Sequence, residues 1–191
     1  QREGFFEEYI LILSPEAWKF YKKIAESNNG LKCNANPMKY AFSEKLGFLY
    51  VEKCKDGFWF MIPDEIKKKY NELIKSGFFD VKEFADLIHQ YAQAAVNLYG
   101  AISQEELVEI FNFQNEQQTD ADTNFKVYNK HIYLDYDYCL WGKYIVHKDL
   151  EENDFEDAKD LICDTIGKPR YIPNKSEFLR YANWSYYENT K

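Results

Sequence analysis

Residues 46–63, LGFLYVEKCKDGFWFMIP, constrain the fold more than any other stretch of this sequence. Two apolar runs flank Lys55-Asp56-Gly57, and an Asp-Gly pair between such runs is among the strongest signals for a tight β-hairpin. Pro63 ends the second run, because proline cannot continue the hydrogen-bonding ladder of a sheet. This hairpin predicts that a chain otherwise rich in helical patterns folds as an α+β protein.

Helical signals surround the hairpin. Ser-Pro-Glu at residues 14–16 predicts a helix start, with a serine cap, a proline in the first turn and an acid near the positive end of the helix dipole. We expect that helix to continue to about Ser27, a short helix at 37–46 and another at 64–75. A first module over residues 1–76 therefore has the order helix, loop, helix, hairpin, helix.

The clearest helical periodicity lies at residues 81–99, where apolar side chains recur every three or four positions. Gly100 is well placed to end that helix in a left-handed conformation. Ser103 followed by Glu106 predicts a capping box, in which each residue satisfies a backbone amide of the other at the start of the next helix. Residues 98–115 thus have the form of a helix-turn-helix corner.

A second hairpin is predicted at residues 131–147, HIYLDYDYCLWGKYIVH, because apolar and polar residues alternate there. A loop is expected before it at 115–124, with a short helix at 121–129 as the alternative, and a helix is expected after it at 155–166. The second module, residues 77–167, therefore repeats the order of the first. Residues 168–191 are expected to form an extended segment and a helix that pack on this module.

Two or three helices followed by a β-hairpin resemble a winged helix, and this order occurs twice. The resemblance implies a mostly helical α+β fold with two winged-helix-like modules, each hairpin serving as a wing. The stretches NLYGAISQEELVEIFNFQN and KPRYIPNKSEFLRYANWSYYENT also resemble uncharacterised proteins of low-GC Gram-positive bacteria. Some of those proteins end in a short zinc-binding SEC-C motif. This chain has no such cysteine-rich tail, so the resemblance implies neither zinc nor an established activity.

The net charge of −8 is unevenly distributed. Residues 100–165 hold five basic and sixteen acidic side chains, which counts against contact with a phosphate backbone. The first 66 residues are nearly balanced, so a nucleic-acid interface is expected only in the first module. Four lysines of its candidate recognition helix and wing are the candidate contacts: Lys39, Lys45, Lys53 and Lys55.

Catalytic signals are weak. The sequence contains no glycine-rich phosphate loop, no GxSxG and no HExxH pattern, so we expect neither an enzyme nor a cofactor. His131 and His147 bracket the second hairpin, and strand pairing with aspartates nearby would allow a metal site there, which is the least favoured alternative. His89 borders the buried stripe of its helix, which favours a packing role.

The four cysteines show no close spacing, and no apolar run is long enough to cross a membrane. We therefore expect reduced thiols, a cytoplasmic location and no membrane contact. The chain starts at Gln1 rather than Met, from which we expect further residues before it.

The C-terminal segment is rich in aromatic residues, a class common at protein interfaces. We favour packing of these rings on the chain's own second module, with contact to a partner as the alternative. The leading hypothesis is a non-enzymatic binding or regulatory protein that acts mainly through protein–protein contacts with an unknown partner. A DNA-binding transcriptional regulator using the first module is the alternative, and a metal-dependent enzyme the second alternative. The candidate partner contacts are Tyr181, Trp184, Tyr186 and Tyr187.

Overall fold

The computed structural model describes residues 5–130 and 137–187. Over these residues the protein is mostly helical α+β, 61% helical, with two small three-stranded antiparallel sheets, which confirms the predicted fold class. The chain divides into two compact units, Gln1–Phe84 and Ala85–Lys191, whereas the sequence patterns placed a seam after residue 76. No helix in the described part of the chain is long and apolar enough to span a bilayer.

The first unit contains the predicted hairpin and helices, together with two elements that were not predicted. Helix α1 and strand β1 are the additions. The Ser14 side chain accepts a hydrogen bond from the Ala17 amide at 3.2 Å, which confirms the predicted cap. In order the elements are α1 (Phe5–Ile12), α2 (Pro15–Glu26), β1 (Leu31–Cys33), a 3-10 turn (Pro37–Tyr40) leading into α3 (Ala41–Lys45), β2 (Tyr50–Cys54), β3 (Gly57–Met61) and α4 (Asp64–Lys75).

Strand β3 is the centre of the first sheet, whose order is β1-β3-β2. Phe60 lies opposite Leu31 on one side and Val51 on the other, and its side chain is fully buried. Its ring meets those of Phe20 and Tyr40 edge-on, with centroids 5.1 and 5.6 Å away. Positions two apart on a strand share a face, so Phe58 and Phe60 define the core face of this sheet.

A second aromatic cluster joins the helices of the first unit. Tyr9 and Phe48 have ring centroids 4.7 Å apart, and the Tyr21 hydroxyl donates a hydrogen bond to the Phe48 carbonyl at 3.0 Å. Burial raises the pKa of Tyr70 to about 12, so this phenol stays neutral. Most aromatic rings of this unit therefore serve the core.

The second unit is formed around the carboxy-terminal part of a long helix. Nearly all side chains of residues 85–96 in that helix are buried, as expected for a helix surrounded by its own domain. The elements are α5 (Phe78–Tyr99), β4 (Ala101–Ser103), α6 (Gln104–Gln114), α7 (Ala121–Lys130), β5 (Tyr138–Trp141), β6 (Tyr144–His147), α8 (Glu156–Thr165) and α9 (Lys175–Phe178).

The corner after α5 differs from a simple turn. Gly100 has a left-handed φ of +73°, as expected for the end of a helix, but the next three residues form strand β4. This strand pairs antiparallel with β6, with Ala101 opposite Val146. The sheet order is β4-β6-β5, so the apparent helix-turn-helix is a helix-strand-helix corner.

The predicted capping box at the start of α6 is confirmed. The Glu106 amide donates to Ser103 Oγ at 3.2 Å, and the Ser103 amide donates to Glu106 Oε2 at 3.3 Å. Partial burial raises the pKa of Glu106, whereas the Ser103 hydrogen bonds and the Arg170 charge lower it. The lowering effects are together the larger, so the pKa of Glu106 lies below its usual value.

Ser103→Ala should lower the free energy of unfolding by about 1 kcal/mol, since it removes the hydroxyl that caps the helix and leaves the Glu106 amide unpaired. Urea denaturation followed by circular dichroism would measure the loss. Ser185→Ala is the control, because Ser185 is exposed and lies beyond the last helix. An unchanged midpoint for Ser103→Ala would show that water replaces the cap at no cost.

The described part of the C-terminal segment packs within the second unit. Asn97 Nδ2 donates to the Tyr181 carbonyl at 2.7 Å, and Gln114 Nε2 donates to the Pro173 carbonyl at 2.8 Å. Phe178 is fully buried, with its ring centroid 5.1 Å from that of Tyr91. Phe178 and Tyr181 thus belong to the core of this unit.

A left-handed turn precedes α8. Asn153, Asp154 and Phe155 have φ of 55°, 55° and 63°, with no glycine among them. The Phe155 ring stacks on Trp141, with centroids 5.2 Å apart and planes 12° from parallel. This stacking holds a backbone that three L-residues would otherwise avoid.

Candidate protein-contact surfaces

The four candidate nucleic-acid lysines lie on three separate elements of the first unit. Lys39, in the 3-10 turn before α3, has its Nζ 3.8 Å from Glu16 Oε1, and Lys45 ends α3. Lys53 lies opposite Phe58, which places it on the core face of the sheet at its exposed end. Lys55 belongs to the hairpin turn.

The helical segment before the hairpin exposes apolar side chains. Met38 is 76% exposed and Phe42 is 53% exposed, whereas Tyr40 and Ser43 on the other side of the segment are buried. Met38 lies in the 3-10 turn and Phe42 in α3, and together these two large exposed apolar side chains make up what we name the α3 face. This surface was not predicted from the sequence, although Met38 and Phe42 are apolar and fall out of phase with the buried Tyr40 and Ser43.

The corresponding helix of the second unit, α7, also exposes an aromatic ring. Phe125 is 49% exposed, whereas Asn124 and Tyr128 are buried. Lys126 lies beside Phe125 on the exposed surface. The helix immediately before a hairpin therefore presents apolar surface to solvent in both units.

The four C-terminal aromatic residues divide between core and surface. Tyr181 is buried, and the partly buried Tyr186 ring meets it edge-on with centroids 5.0 Å apart. Trp184 and Tyr187 are 80% and 78% exposed. Of the four predicted partner contacts, Trp184 and Tyr187 are therefore the exposed ones, and Tyr186 is partly exposed.

A groove of about 750 Å³ runs beside Trp184 in the second unit. We name this surface the C-terminal groove. Aromatic rings and ionisable side chains line it together, and the chemically distinctive ones are Tyr99, Asp137, His147, Asp149, Trp184 and Tyr186.

Hydrogen bonds hold two of the groove's polar groups. Gln93 Nε2 donates to Asp137 Oδ2 at 3.2 Å, and the Asp137 amide donates back to Gln93 Oε1 at 3.1 Å. His147 Nδ1 accepts a hydrogen bond from the Asp149 amide at 3.2 Å and lies 3.6 Å from Asp149 Oδ2. A groove with two carboxylates, a histidine and three aromatic rings is suited to a cationic ligand.

The proposed histidine metal site falls partly outside the structure. His131 and Asp135 lie outside the described residues, so their relation to His147 is not described. Residues 5–130 and 137–187 contain no group of three or more His, Cys, Asp or Glu side chains arranged to hold a metal. His89 is buried, with Nδ1 2.5 Å from the Tyr138 hydroxyl, and it packs against that ring.

A further cavity of about 610 Å³ lies in the first unit, beside Trp59 and the start of α4. Its polar groups bind one another: the Trp59 indole donates to the Asn29 carbonyl at 2.8 Å, and Lys67 donates to the Ser27 carbonyl. Lys32 lies over the Trp59 ring, 5.2 Å from its centroid. These contacts stabilise the α2–β1 loop.

The thiols are free and show no nucleophilic arrangement among the described residues. Cys163 is exposed, whereas the other three cysteines are partly buried. Burial raises the pKa of the Cys139 thiol, which keeps it protonated rather than reactive.

Comparison of the chain with protein-family models, with curated proteins and with solved structures finds no match in any of the three.

Proposed function

We propose that this chain is a non-enzymatic binding or regulatory protein that acts mainly through protein–protein contacts in the cytoplasm, using two winged-helix-like units. The topology supports the winged-helix assignment. In each unit a strand follows a long helix, one or two helical segments come next, and a hairpin follows whose second strand pairs with that first strand.

The observation that carries the proposal is the α3 face. A winged helix that reads DNA places the helix before its wing in the major groove, where Arg, Lys, Asn and Gln reach base edges. Here Phe42 on that helix and Met38 in the turn that leads into it are exposed to solvent. Burial of exposed apolar side chains against another apolar surface lowers the free energy of the complex. A protein partner offers such a surface, and a phosphate-lined groove does not.

The second unit supports the same conclusion. Phe125 is exposed on the equivalent helix, and the acidic balance of residues 100–165 opposes a polyanion. A DNA-binding regulator using the first unit is the second candidate function. It is favoured by the exposed Lys45, Lys53 and Lys55 on the helix and wing.

Site-specific cross-linking tests the proposal. A photoreactive amino acid placed at Phe42 of the full chain should cross-link one discrete protein in cells of the source organism. Met38→Ser should reduce that product at least fivefold, because the apolar face is lost. Glu44→Ala is the matched control, because Glu44 is exposed on the same helix but two positions from Phe42 and so on another side, and it should leave the yield within twofold.

Gel-shift experiments with duplex DNA separate the two functions. We expect no shift by the full chain at physiological salt. A shift that weakens steeply with added salt and disappears in the triple variant Lys45→Ala, Lys53→Ala, Lys55→Ala would overturn the proposal in favour of the DNA-binding regulator. The variants alter exposed positions, so their unfolding free energies should stay within about 0.5 kcal/mol of the parent.

A further inference from the structure

The C-terminal groove combines negative charge with aromatic surface in one cavity. The Asp137 and Asp149 carboxylates and the His147 ring line it together with the Trp184 and Tyr186 rings. A volume of about 750 Å³ is within the range of pockets that enclose a small ligand or the side chains of a peptide.

The acidic side of the groove is held in position before any ligand binds. Asp137 is fixed by the two reciprocal hydrogen bonds with Gln93, which itself is buried in α5. Gln93 also donates to Asn97 Oδ1 at 3.1 Å, one helical turn along α5. A carboxylate ordered in this way has little conformational entropy to lose when it pairs with a cation.

The aromatic side offers faces that attract cations. The Trp184 side chain is 80% exposed, which leaves an indole surface in water. The other two groove rings already hold the chain's own arginines, Arg170 over Tyr99 at 5.0 Å and Arg180 over Tyr186 at 5.9 Å, so Trp184 is the ring left for a ligand. Indole is the aromatic ring to which cations bind most strongly.

The surface beside the groove strengthens attraction of a positive ligand. The segment after Asp149 carries seven exposed acids against one exposed lysine, Lys159, as far as residue 164. Clustered charge of one sign increases the encounter rate with a partner of opposite sign. The acids are Glu151, Glu152, Asp154, Glu156, Asp157, Asp160 and Asp164.

We propose that the C-terminal groove binds an arginine or lysine side chain from an extended basic segment of a partner protein. The cationic head lies between the Asp137 and Asp149 carboxylates, and its alkyl stem packs on the Trp184 indole. This inference rests on the proposed function, since its ligand is a protein, and it adds the chemistry of one partner segment. The groove shares no residue with the α3 face, because all of its residues belong to the second unit.

A hexa-arginine peptide with blocked ends is the probe, titrated into the full chain at physiological salt and followed by calorimetry and by the indole N–H resonances. We expect saturable binding that shifts the Trp184 resonance. Asp137→Asn combined with Asp149→Asn should weaken binding at least tenfold, and Trp184→Ala at least fivefold. Asp157→Asn combined with Asp160→Asn removes the same charge from α8 outside the groove and should change affinity less than twofold.

Equal weakening by the two charge variants would overturn the inference, because it would show diffuse attraction to an acidic surface. Binding that leaves the Trp184 resonance unmoved, or an absence of binding, would also overturn it. Met38→Ser with Phe42→Ser should bind the peptide as the parent does. A negative result in the cross-linking experiment would therefore count against the α3 face alone. A negative result in the peptide titration would count against the C-terminal groove alone. A hexa-glutamate peptide should not bind.

Discussion

Phe178→Ala should lower the free energy of unfolding of the second unit by about 3–5 kcal/mol, the usual cost of removing a fully buried phenylalanine ring. The Phe178 ring has no exposed surface and lies 5.1 Å from the Tyr91 ring and 6.4 Å from the Tyr99 ring. Helix α9 has only four residues, too few to be stable alone, so its position depends on this contact.

Urea denaturation measured by tyrosine and tryptophan fluorescence would detect the loss, with each unit fitted as its own transition where two are resolved. Phe113→Ala is the matched control, because the same residue type is 86% exposed on α6 and should change stability by less than about 0.5 kcal/mol. Similar small effects for both variants would contradict the docking of the C-terminal segment.

Gly30→Ala should destabilise the first unit by about 2–4 kcal/mol. Gly30 has a φ of +77°, a left-handed conformation that costs an L-residue about 1–2 kcal/mol. In addition, a Cβ there would lie 2.4 Å from the Phe60 carbonyl oxygen and 2.9 Å from Trp59 Nε1. The first of these atoms is backbone at the centre of the sheet, so the loop rather than the neighbour must move.

Gly47→Ala separates the two causes. Gly47 has nearly the same φ, +74°, but a Cβ there meets no described atom within 4 Å. It should therefore cost only the conformational part, about 1–2 kcal/mol. The two variants are compared by thermal and urea unfolding. Equal losses would contradict a steric role for the close approach of Gly30 to β3.

The elements predicted from the sequence are those with local signals. The Ser14 cap, the Lys55–Gly57 region of the first hairpin and the Ser103–Glu106 box each depend on residues within a few positions of one another. Such signals act before any long-range contact forms, so they can be read without the fold.

The missed strands have no such signal. Strands β1 and β4 have three residues each, and each is a strand only because a hairpin strand further along the chain pairs with it: Leu31 with Phe60, and Ala101 with Val146. Three residues cannot show alternation, so their conformation is decided by tertiary pairing.

The contact surfaces were only partly predictable for a related reason. The aromatic content of the sequence indicated residues 181–187, but which of those rings is buried depends on packing against α5. Tyr181 packs there and is buried, whereas Trp184 is exposed. Asp137 and His147 meet Trp184 across a groove formed by segments far apart in the chain. The α3 face was visible in principle, because Met38 and Phe42 are apolar and fall out of phase with the buried positions of the same segment.

The left-handed turn before α8 has a consequence for how the second unit opens. Each non-glycine residue in that conformation is held at a cost, and here three consecutive residues depend on one stacking contact between Phe155 and Trp141. Most of the side chains of α8 are exposed, and it is joined to the core chiefly through Ala158 and Ile162. We therefore expect the amides of residues 151–165 to exchange with solvent before those of α5, which hydrogen–deuterium exchange would test.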